Sequence, residues 1–458
     1  MKALVFIEVD IVVRHFVQSG AFTKLACLHD IAYVFPDGHK RLGQVDPAKL
    51  DLAGARLLSL EVCQRRLLLW RKRFFVEMLR GQRGSPASQT AALRKVFRYG
   101  NPWKAYIYYR ALGLPGIFQL FTMILNRRLA CTPNHKLEEL LEREKPDVII
   151  HPCVLQGSYI NDLVEAGSRR KIPTVLIMNS WDNPASKRSV VGTDYWLLVW
   201  GPQTRNHAER LMGISPDRVV EFGAAQFDIY GEPPKRCRQD ILMELDLPLN
   251  KPTLLYAGSS KETNEFEHLR LIDEAITSGL LPNMNVIYRP HPWGEGGKMG
   301  TRFLNHSFDH VAIDREMRYY LERIRQGDRN KYLSDYSNTR DLLLAVDAVI
   351  SPLSTFLIEA MMLGKAAMCF MPIEEEGAEH LQLSRTQIHF SELFSIPEMV
   401  VIWGRKGLLD GVTELMQRAN DPTYPPRLRK AAEFFIRPHA TSFRERIVKF
   451  IESLHTSH

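Results

Sequence analysis

Short apolar runs rich in β-branched residues recur along the chain, and helical patterns separate them. Ala3–Val9, Ile31–Phe35, Asp147–His151, Thr174–Met178 and Tyr195–Trp200 form a first series. Thr253–Ala257, Asn285–Arg289, Ala348–Ser351, Ala366–Phe370 and Met399–Trp403 form a second. Runs of this length alternating with helices predict parallel sheets covered on both faces. Between the two series lie Gly231-Glu232-Pro233-Pro234-Lys235 and Pro248-Leu249-Asn250-Lys251-Pro252, a proline-bracketed stretch expected of a linker. The chain therefore reads as α/β, with one Rossmann-like domain over residues 1–230, a linker over 231–252 and a second Rossmann-like domain over 253–458. The two parallel sheets are expected to face a central cleft.

A length of 458 residues suits two domains, because a single core stops growing at roughly 250–300 residues. The six cysteines form no CxxC pair, so neither a zinc ribbon nor a disulfide framework is expected. Glu8 interrupts the first apolar run too early for a secretory signal. Ala111 to Leu125 is apolar but falls short of the roughly 20 residues a bilayer requires, and it contains Pro115. A cytoplasmic protein is the expectation.

The formal net charge of +8 is unevenly spread. Between Val62 and Leu137 a single acid, Glu77, stands against fifteen Lys and Arg residues, which leaves the remainder of the chain net acidic. Arg65 and Lys72 are seven apart, as are Arg66, Arg73 and Arg80, and Arg71 lies among them. Leu67 and Phe74 share that interval, so a helical insert at about 62–137 carries a basic stripe beside an apolar one. Trp103, Tyr106, Tyr108 and Tyr109 follow among Lys104 and Arg110. Cations with interfacial aromatics suit an anionic membrane surface, and the absence of RNA-reading motifs argues against nucleic acid.

In open α/β sheets ligands bind beyond the carboxyl ends of the strands, so those loops are the candidate sites. In the second half, Gly258-Ser259-Ser260 offers close backbone approach and hydroxyls for a phosphate. Arg289-Pro290-His291-Pro292 holds His291 between two prolines, which fixes how the imidazole is presented. In the run from Asp347 to Lys365 a buried strand enters a Ser/Thr turn and a helix begins. Ser354 or Thr355 can cap that helix beside an anion, and Glu359 lies one turn on, suited to a sugar hydroxyl.

These segments resemble GT-B glycosyltransferases. "RPHP" at 289–292 and "DAVISPLSTFLIEAMMLGKAAMCF" at 347–370 resemble the donor-binding half of that superfamily. The likeness is nearest to bacterial surface-polysaccharide glycosyltransferases and to the CDP-glycerol glycerophosphotransferases of teichoic-acid synthesis. "NSWDNPASK" at 179–187, "LLVWGPQTRNHAERLMGI" at 197–214 and "FGAAQFD" at 222–228 fit it too. The resemblance implies a GT-B fold, with donor phosphates meeting His291, Ser354 and Thr355, and the nucleotide ribose meeting Glu359. It also implies a nucleotide-activated donor as substrate, no cofactor and no metal. The first domain is then the acceptor side and the second the nucleotide-donor side, with Gly258, Ser259, Ser260 and Arg289 completing the nucleotide site.

Transfer to a hydroxyl with inversion needs a proton acceptor. Asp182, in Ser180-Trp181-Asp182-Asn183 after Thr174–Met178, is the leading base, with His291 as the second catalytic residue. Trp181 offers a stacking face, and Asn183, Asp10 and His151 are further acceptor-side candidates. The expected protein is a metal-independent glycosyltransferase of capsule or lipopolysaccharide type, acting on a cell-surface glycan or lipid-linked acceptor. Its expected place is the inner face of the plasma membrane, held there by Arg65, Arg66, Arg71, Lys72 and Arg73. Two alternatives remain open: a CDP-alditol phosphotransferase, and a non-catalytic nucleotide- or carbohydrate-binding protein on the same fold.

Overall fold

A computed structural model describes residues 1–37, 46–81, 107, 111, 114–258, 263–291, 302–327, 334–375, 378–385 and 387–456. The chain forms two compact units. The first contains a sheet of seven strands: β1 (Lys2–Phe6), β2 (Asp30–Asp37), β3 (Arg56–Glu61), β4 (Val148–Cys153), β5 (Thr174–Met178), β6 (Trp196–Val199) and β7 (Val219–Glu221). Their order is β3-β2-β1-β4-β5-β6-β7 and every pairing is parallel. The second contains β8 (Thr253–Ala257), β9 (Asn285–Arg289), β10 (Val311–Ile313), β11 (Ala348–Ser351), β12 (Ala366–Met371) and β13 (Val400–Trp403). These are also all parallel, in the order β10-β9-β8-β11-β12-β13.

Central strands are buried on both faces, which is why β4, β5, β8, β9 and β12 read as largely apolar runs without polar alternation. Three strands leave no clear mark in the sequence, and all are sheet edges. β3 is exposed at four of its six residues, and β7 and β10 have three residues each. An edge strand half open to water has no need of the apolar run that betrays a central one.

Six helices position the sites and the basic segment: α1 (Gln64–Gly81), α2 (Pro115–Ala130), α3 (Ile160–Arg170), α4 (Glu265–Thr277), α5 (Thr355–Met362) and α6 (Phe443–Thr456). One face of the first sheet is covered by residues 10–28 together with α6. There Phe443, Ile447, Val448 and Ile451 pack with Val5, Phe16, Phe22 and Ile31. On the other face α3 and the helix His135–Glu144 supply Leu163, Leu137, Leu140 and Leu141 against Leu4, Phe6 and Ile149.

Two expected boundaries differ. Residues 436–458 belong to the first unit, not the second, because α6 buries its apolar face there and the Phe443 amide donates to the Asp228 carboxylate. A short segment ending at His389 also belongs to the first unit. The stretch 231–252 is no bare linker. It carries the helix Arg238–Glu244, and the amides of Lys235 and Arg236 donate to Asp341, which ties it into the second unit.

Candidate functional site

Strand order locates the site in each sheet. From β1 the chain runs outward to β2 and β3, then returns to β4 on the other side. From β8 it runs to β9 and β10, then returns to β11. The crevices between β1 and β4, and between β8 and β11, are the two topological switch points, where such sheets bind ligands.

At the first switch point a carboxylate of the protein itself occupies the crevice. Glu8, just past β1, is buried, and its Oε1 lies 2.8 Å from His151 Nε2 on β4. The same carboxylate accepts from the amides of Ser158 and of Tyr159, the latter at 3.1 Å. Tyr159 is the N-cap of α3, so Glu8 sits where an anion would meet that helix N-terminus. Gly157 makes room for it: a Cβ there would fall 2.4 Å from Oε1. Burial opposes both charges. The His151 interaction and the two amides nonetheless hold Glu8 below its ordinary range, while Cys153 and Glu8 push His151 up to about 10. His151 is therefore a sealed partner of Glu8 and not an acceptor ligand, contrary to the sequence expectation.

The second switch point is built differently. Ser354 caps α5 with a neutral hydroxyl, accepting from the Phe356 amide at 3.2 Å, and Thr355 opens the helix. Beside it Gly258 follows β8, its amide donating to Arg289 O at 2.8 Å. A Cβ on Gly258 would stand 2.5 Å from a carboxylate oxygen of Glu265, so any larger residue there would have to displace that carboxylate. Ser351, the last residue of β11, is fully buried, and its hydroxyl has no hydrogen-bond partner among the described residues. Half-buried His291 follows β9. Glu359 is buried on α5 and accepts from the Tyr230 hydroxyl. Ser259, Ser260 and Pro292 lie outside the described residues.

Arg289 is a correction. It is buried, and it donates to Asp314 at 2.5 Å, to Glu316 at 3.3 Å and to Thr339 at 3.1 Å. A guanidinium engaged by two carboxylates is not offered to a phosphate; it braces β9 beneath His291.

The loop after β5 also departs from expectation. Asp182 Oδ2 lies 2.7 Å from the ammonium of half-exposed Lys187. Burial would raise its pKa, but Lys187 and then His389 outweigh that and bring it to about 2. So stable a carboxylate is a poor proton acceptor, and the structure does not support Asp182 as the base. Asn183 is fully buried; its side chain donates to Asp182 and accepts from the amides of Asn179 and Ser180. Trp181 is 3% exposed and meets His389 edge to face at 5.3 Å, so it has no open stacking face. Asp10, also buried, begins the turn Asp10–Val12 next to the first switch point.

A network that the sequence did not announce supports the second site. The Tyr288 hydroxyl donates to Glu265 at 2.5 Å. The Tyr256 hydroxyl lies 2.8 Å from His268 Nδ1, and His268 Nε2 lies 2.6 Å from Glu375, which also accepts from the Asn264 amide. Against the cost of burial, His268 and that amide hold Glu375 below the usual carboxylate range. The faint signal was a tyrosine in the fourth position of both β8 and β9, paired in register.

The basic stripe divides. Arg65, Arg71 and Lys72 on α1 are exposed. Arg66 is buried and donates to Asp162 and Glu165, and Arg73 is held by Asn126 and Glu77 at 3.2 Å each. Arg66 and Arg73 are thus structural and not a membrane surface. Trp103, Lys104, Tyr106, Tyr108, Tyr109 and Arg110 lie outside the described residues.

Two parallel Rossmann-like sheets, each with its switch point, define the GT-B class of fold. No family model and no curated protein matches the chain. Solved structures do, at low identity. The calicheamicin glycosyltransferase CalG4 matches with a TM-score of 0.53 and 13% identity, over 99% of this chain and 98% of its own. A putative UDP-N-acetylglucosamine 2-epimerase from Listeria monocytogenes gives 0.54 and 10%, over 99% and 96%. The wall teichoic acid polymerase TagF gives 0.51 and 9%, over 100% and 89%.

Proposed function

We propose that the protein is a glycosyltransferase that moves a sugar from a nucleotide-activated donor to a cell-surface glycan or lipid-linked acceptor at the inner face of the plasma membrane. The observation that carries this is the contrast between the switch points. In the first unit the α3 N-terminus is neutralised by Glu8. In the second, α5 is capped by a neutral serine next to a glycine loop and a buried hydroxyl without a partner among the described residues. Anion binding therefore belongs to the second unit, and the leaving phosphate of the donor suits it. Glycosyltransferases and a UDP-sugar epimerase among the fold neighbours agree with a nucleotide-sugar donor.

In this reading Ser351, Ser354, Thr355 and His291 hold the donor phosphates, and Glu359, oriented by Tyr230, takes the ribose. The acceptor hydroxyl attacks the anomeric carbon while the bond from that carbon to the phosphate oxygen breaks. The hydroxyl proton passes to a general base, and the nucleotide leaves at the α5 N-terminus. No metal ion or cofactor takes part.

A thermal-shift screen against UDP, GDP, ADP, CDP and CMP tests donor binding, because a ligand of the folded state raises its stability. One nucleotide is expected to raise Tm, and Ser351→Ala and Ser354→Ala are each expected to weaken its binding about tenfold, roughly the worth of one hydrogen bond to a charged group. A full panel without a shift overturns the reading. In a turnover assay His291→Ala is expected to lower kcat/KM about tenfold or more, roughly the worth of one hydrogen bond to a charged phosphate. Chelator is expected to leave the rate unchanged; a loss restored by Mg²⁺ or Mn²⁺ overturns metal independence. The released product separates the rivals. A nucleoside diphosphate marks sugar transfer, and CMP formed from CDP-glycerol marks phosphoalditol transfer.

A further inference from the structure

We propose that the outward face of the α1–α2 helix pair docks on an anionic lipid bilayer. This rests on the glycosyltransferase reading, for which it specifies a partner surface, and its failure leaves nucleotide binding untouched. The two helices pack on each other through Leu69, Val76, Leu125 and Leu129, with Trp70, Phe118 and Phe121 alongside. That contact uses only one side of α2. At about 100° per residue, Leu120, Met123, Ile124 and Arg127 fall on the opposite side. They are exposed there, Leu120 at 49% and Met123 at 61%. A helix apolar on both faces is apolar for two partners, and α1 is only one of them.

Charge indicates the second. α2 contains no acid and ends in exposed Arg127 and Arg128. On α1, Arg65, Leu68 and Lys72 share one side by the same spacing and are exposed, with Leu68 at 53%. Exposed leucine, isoleucine and methionine bordered by arginine and lysine match the acyl–headgroup boundary of an anionic leaflet, where apolar side chains enter and cations meet phosphate. No described helix is long and apolar enough to cross a membrane, so the contact is interfacial. The pair is a rigid platform, because Arg66 and Trp70 lock α1 to Asp162 at 2.7 and 2.6 Å.

The test is co-sedimentation of the full chain with vesicles of phosphatidylcholine alone and of phosphatidylcholine with phosphatidylglycerol. Wild type is expected to partition about tenfold better onto the anionic vesicles, and added salt should erase the preference. The pairs Leu120→Asp/Met123→Asp and Arg127→Glu/Arg128→Glu are each expected to lose about tenfold or more. Leu280→Asp, an exposed leucine of the second unit, should change nothing. All three variants replace exposed side chains, and an unchanged Tm and nucleotide shift confirm folding. Three results overturn the proposal: wild type that stays in the supernatant, α2 variants that bind as wild type does, or a wild-type dimer that Leu120→Asp/Met123→Asp dissociates, which assigns the face to a second copy.

Discussion

Glu8→Ala is expected to destabilise the protein by about 3–5 kcal/mol, the cost of stripping one partner from a buried ion pair. The side chain makes no contact that a surface residue could replace. His151, 0% exposed, would be left to carry or lose its proton in the interior, and the amides of Ser158 and Tyr159 would lose their acceptor. Glu8→Gln keeps an oxygen for one of those groups and should cost less. The pair also predicts a pH profile. Glu8 is lowered, so its contribution is present above its ordinary value of 4.5 and fades as pH falls through the folded value. His151 is raised, so its contribution is full below 6.5 and is lost as pH rises toward about 10. Stability should thus be greatest between those windows and decline from pH 6.5 upward. Urea unfolding at about pH 6 and about pH 9 checks this, since the two values bracket the start and the bulk of the His151 loss. In Glu8→Ala the alkaline decline should flatten, and a variant within about 1 kcal/mol of wild type at the lower pH would show that the pair holds nothing together.

How much of this was legible in the sequence depended on burial. The central strands announced themselves because both their faces are apolar, and Thr253–Ala257 and Asn285–Arg289 were bounded to the residue. The same rule hid the edges β3, β7 and β10. At the second switch point, the Ser354 cap and the glycine after β8 follow from local chain geometry, which a linear sequence carries well. The partners of Arg289 and His151 could not be read, because they arrive from distant strands and loops. Arg289 has the look of a phosphate ligand only while Asp314, 25 residues on, is left out of view. Asp182 has the look of a base because an aspartate after a strand has that appearance, whether or not a lysine lies beside it.

The clearest separation of such pairs is between Arg65 and Arg66, neighbours in one basic stripe. One residue is about 100° of helix, enough to turn Arg65 to solvent and Arg66 into the interior. There Arg66 donates to Asp162 at 2.7 Å, to the carbonyls of Leu129 and Thr132 at 2.9 and 2.7 Å, and to Glu165. Its removal leaves Asp162 buried with Trp70 and Asn134 as its remaining side-chain donors among the described residues, and it unties the end of α2 from α1. Arg66→Ala is therefore expected to cost about 3–5 kcal/mol, and Arg66→Lys should recover little, since one ammonium cannot span four acceptors. Arg65→Ala should stay within about 0.5 kcal/mol of wild type in urea unfolding. Vesicle binding should order the two differently: Arg65→Ala weakens it at unchanged stability, because one surface cation near an anionic leaflet is worth about 1 kcal/mol. Equal stability losses for the two variants would mean that the stripe is a single solvated face and that α1 is not locked to α3.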